Sequence, residues 1–425
     1  MQNVSNEYLS ATKQYSRTTQ TQYVFTLNDG TSFTINESST KGNCTISSQC
    51  VDGNGFNLGS ACISEVSFSI DSNACDENIL LGSTVLVKHG IYVQTGFEWL
   101  NMGVFTVTKA TKSGSFISIS GSDNIKRFDK SFYDSDDYNN RVNTIVVGLS
   151  NLDTLYNHLM FLCNSCNATL GQTQEEITAL ELYETGQSNL FRIENSTITA
   201  SPRDFLSYIA QLLGGFAYAD CNGYIKIKRF STSATYTIDY SQVATDGLQE
   251  SKFEMQLYGG YYQDEDNSWC KVWYPAYEGL ANSIIVDTSN NLFLQAYYQD
   301  NDLPMDCVGN ICLAVGSIPY IPYDISIIGN PALELGDCIT IFDKHGNSFI
   351  SVITNISWQS RGMQSLKCVG EDTRTLGSNV RNQTTRLAET TQKKINDIKG
   401  IDITEEDFKN LDISTIKEGQ TVYVY

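Results

Sequence analysis

The sequence is poor in histidine and has fewer cationic than anionic side chains. Its 425 residues include three histidines and 28 Lys and Arg against 48 Asp and Glu, so the formal net charge is −20. A nucleic-acid-binding surface needs clustered cations to displace counterions from phosphates, and this charge balance argues against one. Proline is also scarce, at six residues, whereas glycine and tyrosine are abundant, at 31 and 24. That composition predicts sheets joined by polar turns rather than helical bundles.

Long apolar runs are absent as well. No stretch approaches the roughly 18 apolar residues of a membrane span, and the first 20 residues lack the apolar core of a signal peptide. We therefore expect a soluble chain without a membrane span. With 41% hydrophobic residues the sequence can still build buried cores, and its length corresponds to about two to four domains.

Metal and redox sites lack their usual spacing. Of twelve cysteines only Cys163 and Cys166 form a CxxC pair, no second pair accompanies it, and it falls where a helix is predicted to end. The acidic runs at 134–137, 264–266 and 300–302 lack the glycine and the distal glutamate of an EF-hand loop. We expect free thiols, solvated acidic turns, and no metal or cofactor.

The first part of the chain alternates apolar and polar residues in short runs. Two runs between Tyr23 and Asn36 flank Asn28-Asp29-Gly30, the strongest short signal for a hairpin. More strands of the same kind are predicted at 63–71, 84–88, 99–109 and 115–120. This rhythm is typical of a barrel or a sandwich.

The pattern changes to α+β after residue 125. Ser150 is predicted to cap a helix whose apolar positions begin at Leu152. A second helix is predicted to begin after Ser201, with proline at its first position, and to end at Gly214. A hairpin turning at Asn222-Gly223 follows directly.

An internal echo links two distant segments. Ile79 to Gly90 (ILLGSTVLVKHG) and Ala332 to Gly346 (ALELGDCITIFDKHG) both read Leu-Gly, then a strand, then a glycine turn. Two more strands follow each, ending in GSD at 121–123 and GED at 370–372. Two similar β modules are predicted, although Leu-Gly with alternation also recurs by chance in β proteins. Their predicted scaffold residues are Leu81, Gly82, Leu335, Gly336 and Asp337.

Three stretches, in this order, resemble the hub protein of phage baseplates and the amino-terminal hub region of tail-associated lysins. They are Leu81–Tyr133, Ser201–Phe230 and Leu333–Asp372, and the similarity covers roughly residues 20–380. The resemblance implies a mainly β fold with an α+β insert, in which two similar tube-forming β-barrel domains accompany an α+β domain and a short C-terminal helical tail. The expected domains are 1–125 for the first barrel, 126–320 for the α+β domain with part of 231–260 returning to the second barrel, 321–378 for the second barrel, and 379–425 for the tail.

The resemblance also implies a function without an active site. Three chains would present six barrels and join a sixfold tail tube to threefold tip components, as a homotrimeric structural protein of the virion tail tip. The implied partners are a distal tail or tube protein above and a fibre or spike below, with assembly in the host bacterial cytoplasm. DNA would pass through the channel without being bound, and we expect the channel lining to be negatively charged.

Two other functions stay open at this stage. The aromatic richness between Trp269 and Tyr298 indicates a carbohydrate or host-receptor binding module if those rings are exposed. Paired acids that cleave cell-wall glycan can converge from any part of a fold. No nucleophile elbow, zinc-protease motif, P-loop or dinucleotide fingerprint occurs, and His89, His158 and His345 are expected to be structural. We predict that the chain is not an enzyme.

The C-terminal segment gives weaker signals. Residues 380–398 show a faint helical period, Thr404 is a candidate helix cap, and TVYVY at the end is a candidate edge strand. A trimer stem, a dock for a fibre or spike, and a disordered tail are the three alternatives.

Overall fold

The computed structural model describes most of the chain in two compact units, Met1–Asp372 and Thr373–Tyr425. The described residues are 1–53, 56–130, 154–182, 200–251, 256–263, 269–273, 283–288, 291–295, 303–370, 401–403 and 422–424.

Strands dominate the described residues. They are β1 Thr19–Thr26, β2 Ser32–Asn36, β3 Thr40–Gln49, β4 Glu65–Asp71, β5 Thr84–Val93, β6 Gly96–Ser113, β7 Phe116–Ser122, β8 Gly215–Ala219, β9 Ile225–Arg229, β10 Ala234–Ile238, β11 Val243–Glu250, β12 Gln256–Gln263, β13 Trp269–Trp273, β14 Ser283–Asp287, β15 Tyr323–Ile327, β16 Cys338–Phe342, β17 Ser348–Val352, β18 Asn355–Gln359, β19 Gln364–Cys368, β20 Ile401–Ile403 and β21 Val422–Val424.

The helices are few and short. They are α1 Asn6–Thr12, α2 Leu155–Ser165, α3 Gln174–Thr178, α4 Pro202–Leu212, α5 Leu292–Gln295 and α6 Leu303–Val315. Single 3-10 turns lie at Glu37–Ser39, Glu77–Ile79, Asn124–Phe128 and Tyr240–Gln242. The fold is therefore mainly β, as the composition predicts.

One antiparallel sheet of eleven strands runs through the first unit. Its order is β11-β15-β19-β18-β3-β4-β7-β6-β5-β1-β2. Strands β1–β7 form what we call the first module, and β10, β11 and β15–β19 the second. Strand β18 of the second module pairs with β3 of the first, so that the sheet is continuous across both modules. Strands β10, β16 and β17 form a separate small sheet of the second module.

The first module encloses its own apolar core. Alternate residues of its strands are buried because every second side chain points to the same face. Tyr23 and Phe68 stack with ring centroids 4.3 Å apart, and Phe25 packs beside them. Trp358, from β18, is 3% exposed and belongs to this core although it comes from the second module.

A larger core lies under the second module and the segment before it. It joins apolar faces of α2, α4 and α6 to buried residues of β15 and β16. Helix α4 begins as predicted, with a capping box in which Ser201 and Asp204 bind each other's backbone N–H. It ends at Leu212, and Gly214, with a φ of +69°, follows the C-cap Leu213. The predicted hairpin at Asn222-Gly223 is confirmed as β8 and β9.

The cysteine side chains that the structure describes are buried or half-buried. Eight are buried and three half-buried. Cys163 lies in the last turn of α2 and Cys166 follows its end, as predicted. Burial raises the pKa of the Cys163 thiol to about 12, which keeps it protonated and unreactive.

Two local predictions are corrected. Helix α2 begins at Leu155 with Thr154 as its cap, whereas the predicted cap Ser150 lies outside the described residues. His89 and Gly90 do not precede a turn; they lie within β5, which stays paired with β6 as far as Val93 and Gly96. Strand β5 continues because alternate residues beyond His89 are buried against α1. The letters Lys-His-Gly, which both echoed segments share, therefore stand at different structural positions in the two modules.

Little of the C-terminal segment is described. Strand β21 pairs in parallel with β20, so TVYVY does contribute a strand. The predicted cap Thr404, the faint helical period of 380–398 and the three acidic runs lie outside the described residues. In the part of the chain that the structure describes, no helix is long and apolar enough to cross a membrane.

A buried carboxyl closes the first module. Asp123 is 4% exposed and follows β7; its two oxygens accept the N–H groups of Ser64 and Ile125 at 2.9 and 3.0 Å. Burial outweighs these donors and raises the pKa of the carboxyl to about 7, against an ordinary value of 3.8.

We expect this carboxyl to make stability depend on pH. Because the folded state holds the Asp123 proton more tightly than the unfolded state, the free energy of unfolding falls as pH rises from about 4 to about 7, by up to about 4 kcal/mol. Urea unfolding at pH 5 to 8 measures this. Asp123→Asn is the control and should lack that component of the pH dependence. Parallel curves for the two proteins would contradict the assignment.

Candidate functional site

The Leu-Gly turn of the first module is defined by three backbone hydrogen bonds. Gly82 N–H donates to Val107 O at 2.9 Å, Val107 N–H donates to Ser83 O at 2.8 Å, and Ser83 N–H donates to Leu80 O at 3.0 Å. Gly82 has a φ of +80°, in the left-handed region that favours glycine. Leu81 is 57% exposed.

The Leu-Gly turn of the second module repeats this geometry. Gly336 N–H donates to Ile353 O at 2.8 Å, Ile353 N–H donates to Asp337 O at 2.8 Å, and Asp337 N–H donates to Glu334 O at 3.2 Å. Gly336 has a φ of +76°. Leu81, Gly82, Ser83 and Val107 thus correspond to Leu335, Gly336, Asp337 and Ile353. The sequence echo reflects the same backbone turn in both modules.

The strands around the two turns also correspond. The order β3-β4-β7-β6 of the first module matches β11-β15-β19-β18 of the second, and all these pairs are antiparallel. The long strand β6 corresponds to β17 and β18 together, which the chain interrupts at Ile353-Thr354. The modules differ on the other side of the turn. In the first module β5 pairs antiparallel with β1, and β1 pairs with β2. In the second module β16 pairs in parallel with β10.

The seam between the modules is a short antiparallel ladder. Asn355 to Gln359 pair with Gln49 to Thr45, and Trp358 faces Ile46 on the core side. At one end Cys44 and Ser360 bind each other: the Cys44 N–H donates to Ser360 Oγ and the Ser360 N–H donates to Cys44 O, both at 2.9 Å. Arg361 forms an ion pair with Glu37 beside it.

Among the edges of the described sheets, two correspond to the strands of the seam. Strand β5 pairs with β6 only as far as Thr106, so the following stretch, Thr108–Ser113, is paired with β7 alone. Strand β11, at one limit of the eleven-stranded sheet, is paired with β15 alone, and β2 is the edge strand at the other limit. The first segment corresponds to β18 and the second to β3, so these two open edges match the two strands that form the seam.

On the strands that form and flank the seam, the sheet face that points away from both cores carries small polar side chains and no net charge. Strand register places hydroxyl and amide side chains along it, namely Thr45, Ser47, Gln49, Ser67, Ser69, Ser118, Ser120, Ser326, Asn355, Ser357, Gln359 and Ser365. On the strands that form and flank the seam, β3, β4, β7, β15, β18, β19 and the stretch Thr108–Ser113, its described acids are Glu65, Asp71 and Asp324 and its bases are Lys41, Lys109 and Lys367, three of each. Lys88 lies on the outward face of β5, farther from the seam. A concavity of about 450 Å³ lies over this polar face at the seam. If it lines a channel, the expected negative charge is absent from it.

Asp337 is the charged centre of the second turn. It is 1% exposed, and its Oδ1 lies 2.7 Å from the Met1 amine and 3.0 Å from Lys228 Nζ. Its Oδ2 accepts the Glu334 N–H at 2.8 Å. Sequence reasoning identified Asp337 as scaffold but could not find its partner Lys228, which lies on β9 more than 100 residues away.

The described residues offer no evident catalytic constellation. His89 is 1% exposed, with Nδ1 3.2 Å from Thr21 Oγ1, and burial lowers its pKa to about 3. His158 is buried in α2 against Phe293, and His345 is an exposed turn residue. Among the described residues no group of three His, Cys, Asp or Glu could hold a metal ion.

Sequence reasoning missed an aromatic surface at the far end of β5 and β6. The pairs Gly90–Trp99 and Tyr92–Phe97 share one face of this hairpin, and Tyr92 is 53% exposed. The Tyr92 and Phe97 rings meet edge to face at 5.3 Å. The aromatic stretch 269–298 was the candidate binding surface in the sequence. Its side chains lie largely outside the described residues.

Comparisons with known proteins find similarity only at the level of structure. No protein-family model and no curated protein matches the sequence. The 43 kDa tail protein of prophage MuSo2 from Shewanella oneidensis is 12% identical, with 83% of this chain and 97% of that chain covered and a TM-score of 0.48. Prophage tail protein gp18 from Listeria monocytogenes EGD-e is 11% identical, with 87% and 98% covered and a TM-score of 0.47. The tail protein from Neisseria meningitidis MC58 is 13% identical, with 83% and 97% covered and a TM-score of 0.43.

Two of these structural neighbours are prophage tail proteins by name, and the third is named a tail protein. At such identities, and with TM-scores below 0.5, the similarity by itself assigns no function to this chain.

The two turn glycines provide a matched pair of substitutions. Gly82→Ala should cost about 1 kcal/mol, since alanine disfavours the left-handed region while a Cβ there would meet only Asn28 at 3.3 Å. Gly336→Ala should cost about 1–3 kcal/mol more, because its Cβ would fall 2.8 Å from the Phe216 ring. Urea unfolding measures both. Equal losses would show that the two turns are not packed differently.

The Asp337 carboxylate is expected to stabilise the fold. Asp337→Asn leaves the Lys228 ammonium and the Met1 amine with only Glu334 nearby and should cost about 2–4 kcal/mol. Ser83→Ala, at the corresponding position of the first turn, removes one hydroxyl bond to Leu80 O and should cost about 0.5–1.5 kcal/mol. Denaturant titration of both variants measures the difference, and a neutral Asp337→Asn would refute the role of the charge.

Proposed function

We propose that this chain is a structural protein of a phage tail tip, a homotrimeric baseplate hub whose six strand modules surround the DNA channel. In this proposal residues 1–125 and 321–378, with β10 and β11, are two tube-forming barrels, 126–320 is mainly an α+β domain between them, and 379–425 is a tail. The observation that carries the proposal is that one chain contains a finished module seam together with the two open edges that would repeat it.

Repetition of the seam gives a ring. Within the chain, β18 of the second module pairs with β3 of the first. The corresponding contact between chains joins Thr108–Ser113 of one copy to β11 of the next. Such a head-to-tail contact uses two different surfaces, so it either closes into a ring or grows into a filament. Closure at three copies gives six modules, which matches a sixfold tube.

The register of this contact follows from the turn correspondence. Val107 corresponds to Ile353, so counting five residues along each strand makes Lys112 correspond to Trp358. The ladders agree, since Ala110 pairs with Ile119 as Ile356 pairs with Leu366.

The other side of the contact follows in the same way. Ile119 pairs with Phe68, and Leu366 pairs with Ile325. Two residues before these, Val66 pairs with Ile46, and Tyr323 pairs with Glu250. Glu250 thus corresponds to Ile46. Because Trp358 faces Ile46 within the chain, Lys112 of one copy would face Glu250 of the next.

The neutral polar face supports passage of DNA without binding. Phosphates bind to clustered Lys and Arg, and this face holds three of each sign, with Lys367 already 2.6 Å from Asp324. Hydroxyl and amide groups remain hydrated and offer no net attraction. In the ring this face would line the channel, and low friction would come from missing cations rather than from excess negative charge.

The second candidate, a carbohydrate or host-receptor binding module, would use the aromatic surface at Tyr92. Its rings meet at interplanar angles of 79° and 38°, so they do not form the coplanar platform on which a sugar ring stacks. The same surface would suit apolar side chains of a neighbouring protein, which agrees with the hub.

Charge reversal tests the ring. Light scattering and negative-stain images of the purified chain should show a trimer with an open centre. Lys112→Glu should shift trimer formation to about tenfold higher concentration, because about 1 kcal/mol lost at each of three contacts adds up to about 3 kcal/mol.

The double variant Lys112→Glu with Glu250→Lys should restore trimer formation, since it exchanges the two charges. Lys344→Glu, in the exposed turn after β16, is the matched control and should assemble normally. A monomer at all concentrations, or a double variant no better than the single one, would shift the assignment toward the binding module.

A further inference from the structure

The two Leu-Gly turns are preceded by the same capped turn. In the first module Asp76 accepts, through Oδ1, the N–H two residues ahead at 3.0 Å, and in the second module Asn330 does the same at 3.1 Å. The backbone oxygens of these two residues each accept the N–H three residues ahead, at 3.4 and 3.1 Å. Residues 76–83 therefore match residues 330–337 one for one.

Matched apolar residues of these two segments differ in exposure. Ile79 and Leu81 are 44% and 57% exposed, whereas their counterparts Leu333 and Leu335 are 4% and 7% exposed. Both leucines line a cavity of about 100 Å³ beside the seam, together with Met102 of the first module and with β8 on a further side. The segment before β16 thus faces the first module, and this junction covers its leucines.

The other side of the junction shows the same contrast. Val104 of β6 corresponds to Ile350 of β17, since each stands three residues before the matched pair Val107 and Ile353. The turn of the β8–β9 hairpin covers Val104, because a Cβ on Gly223 would fall 3.0 Å from the valine Cβ. Ile350 is 43% exposed. Each side of the junction therefore has apolar residues that are covered within the chain and exposed at the matching place of the other module.

The exposed residues lie on the surfaces that meet in the proposed ring. At the seam within the chain, the second module contributes its Leu-Gly turn and the first module contributes β3 and β6. In the head-to-tail contact these roles are exchanged. The first module of one copy then contributes Ile79 and Leu81, and the second module of the next copy contributes Ile350. The repeat therefore points to a second copy of this chain as the partner of Ile79 and Leu81.

We propose that Ile79 and Leu81 of one copy pack against β17 of the next copy, beside Ile350, and form the apolar part of the contact between copies. This inference rests on the proposed function, because it extends the head-to-tail contact that Lys112 and Glu250 begin at the strand edges. A turn suits the apolar part of a reversible contact. Its backbone N–H groups are bonded within the module, so an unassembled copy exposes no strand edge there.

Site-specific photo-crosslinking of the full chain tests this contact. The photoreactive residue p-benzoylphenylalanine replaces Leu81, and the irradiated sample is separated on a denaturing gel and digested with trypsin. We expect a covalent dimer in which position 81 is joined to the tryptic peptide 345–361, which contains Ile350. The same residue in place of Leu313, which is 47% exposed on α6, is the control and should give no dimer joined to that peptide.

Charge substitutions measure how much the contact contributes. Leu81→Lys should leave urea unfolding of the monomer unchanged, since the side chain is exposed there. It should shift trimer formation to about tenfold higher concentration, because a cation replaces an apolar contact at each junction between copies. The double variant Leu81→Lys with Ile350→Glu should recover most of this loss. Leu313→Lys makes the same change of charge and should assemble normally.

The outcomes separate this contact from the ring itself. A trimer whose covalent dimer lacks peptide 345–361, or whose formation Leu81→Lys leaves unchanged, overturns the apolar contact but not the ring. A dimer joined through the first module of both copies would indicate a twofold contact and also overturns it. A chain that stays monomeric at all concentrations and gives no covalent dimer overturns both the ring and this contact.

Discussion

The pairing of β18 with β3 is the contact on which the rest of the structure depends. It makes one sheet from two modules and carries Trp358 into the core of the first module, where the ring packs 4.9 Å from His89. Burial of this tryptophan contributes about 2–3 kcal/mol to the seam, in addition to the backbone hydrogen bonds of its five residue pairs. The modules therefore keep one relative register, and the open edges at Thr108–Ser113 and β11 are held in fixed places.

The sequence predicts well what is decided locally. The Asn-Asp-Gly hairpin, the capped helix after Ser201 and the Asn222-Gly223 turn all depend on residues within a few positions of each other. The Leu-Gly echo belongs to the same class, because a positive φ at Gly82 and Gly336 is a local requirement. Contacts between distant segments escape such patterns. The ion pair of Asp337 with Lys228 and the seam of β18 with β3 join residues 109 and about 310 positions apart, and neither leaves a periodic signal.

The error over His89 has the same origin. The match of KHG in both echoed segments is a match of letters, whereas the structural correspondence runs from the glycine turn and places Asp343, not His345, opposite His89. Strand length then depends on what covers the strand: α1 places Tyr8 against Ile91 and Val93 and extends β5, while Asp343 ends β16 by binding the N–H groups of His345 and Asn347. Side chains far apart in sequence decide where such a strand ends.

The differences between the two seams have a physical logic in the proposed ring. The seam inside the chain buries Trp358 against Ile46, and it never has to come apart because one chain supplies both sides. In the proposed ring the corresponding contact between chains would place Lys112 opposite Glu250, and both are exposed in the single chain. An apolar pair at those positions would leave an aggregation-prone strand edge on every unassembled copy. A charged pair keeps each open strand edge hydrated until the next copy binds. One strand arrangement can thus serve as a permanent joint within the chain and as a reversible joint between chains.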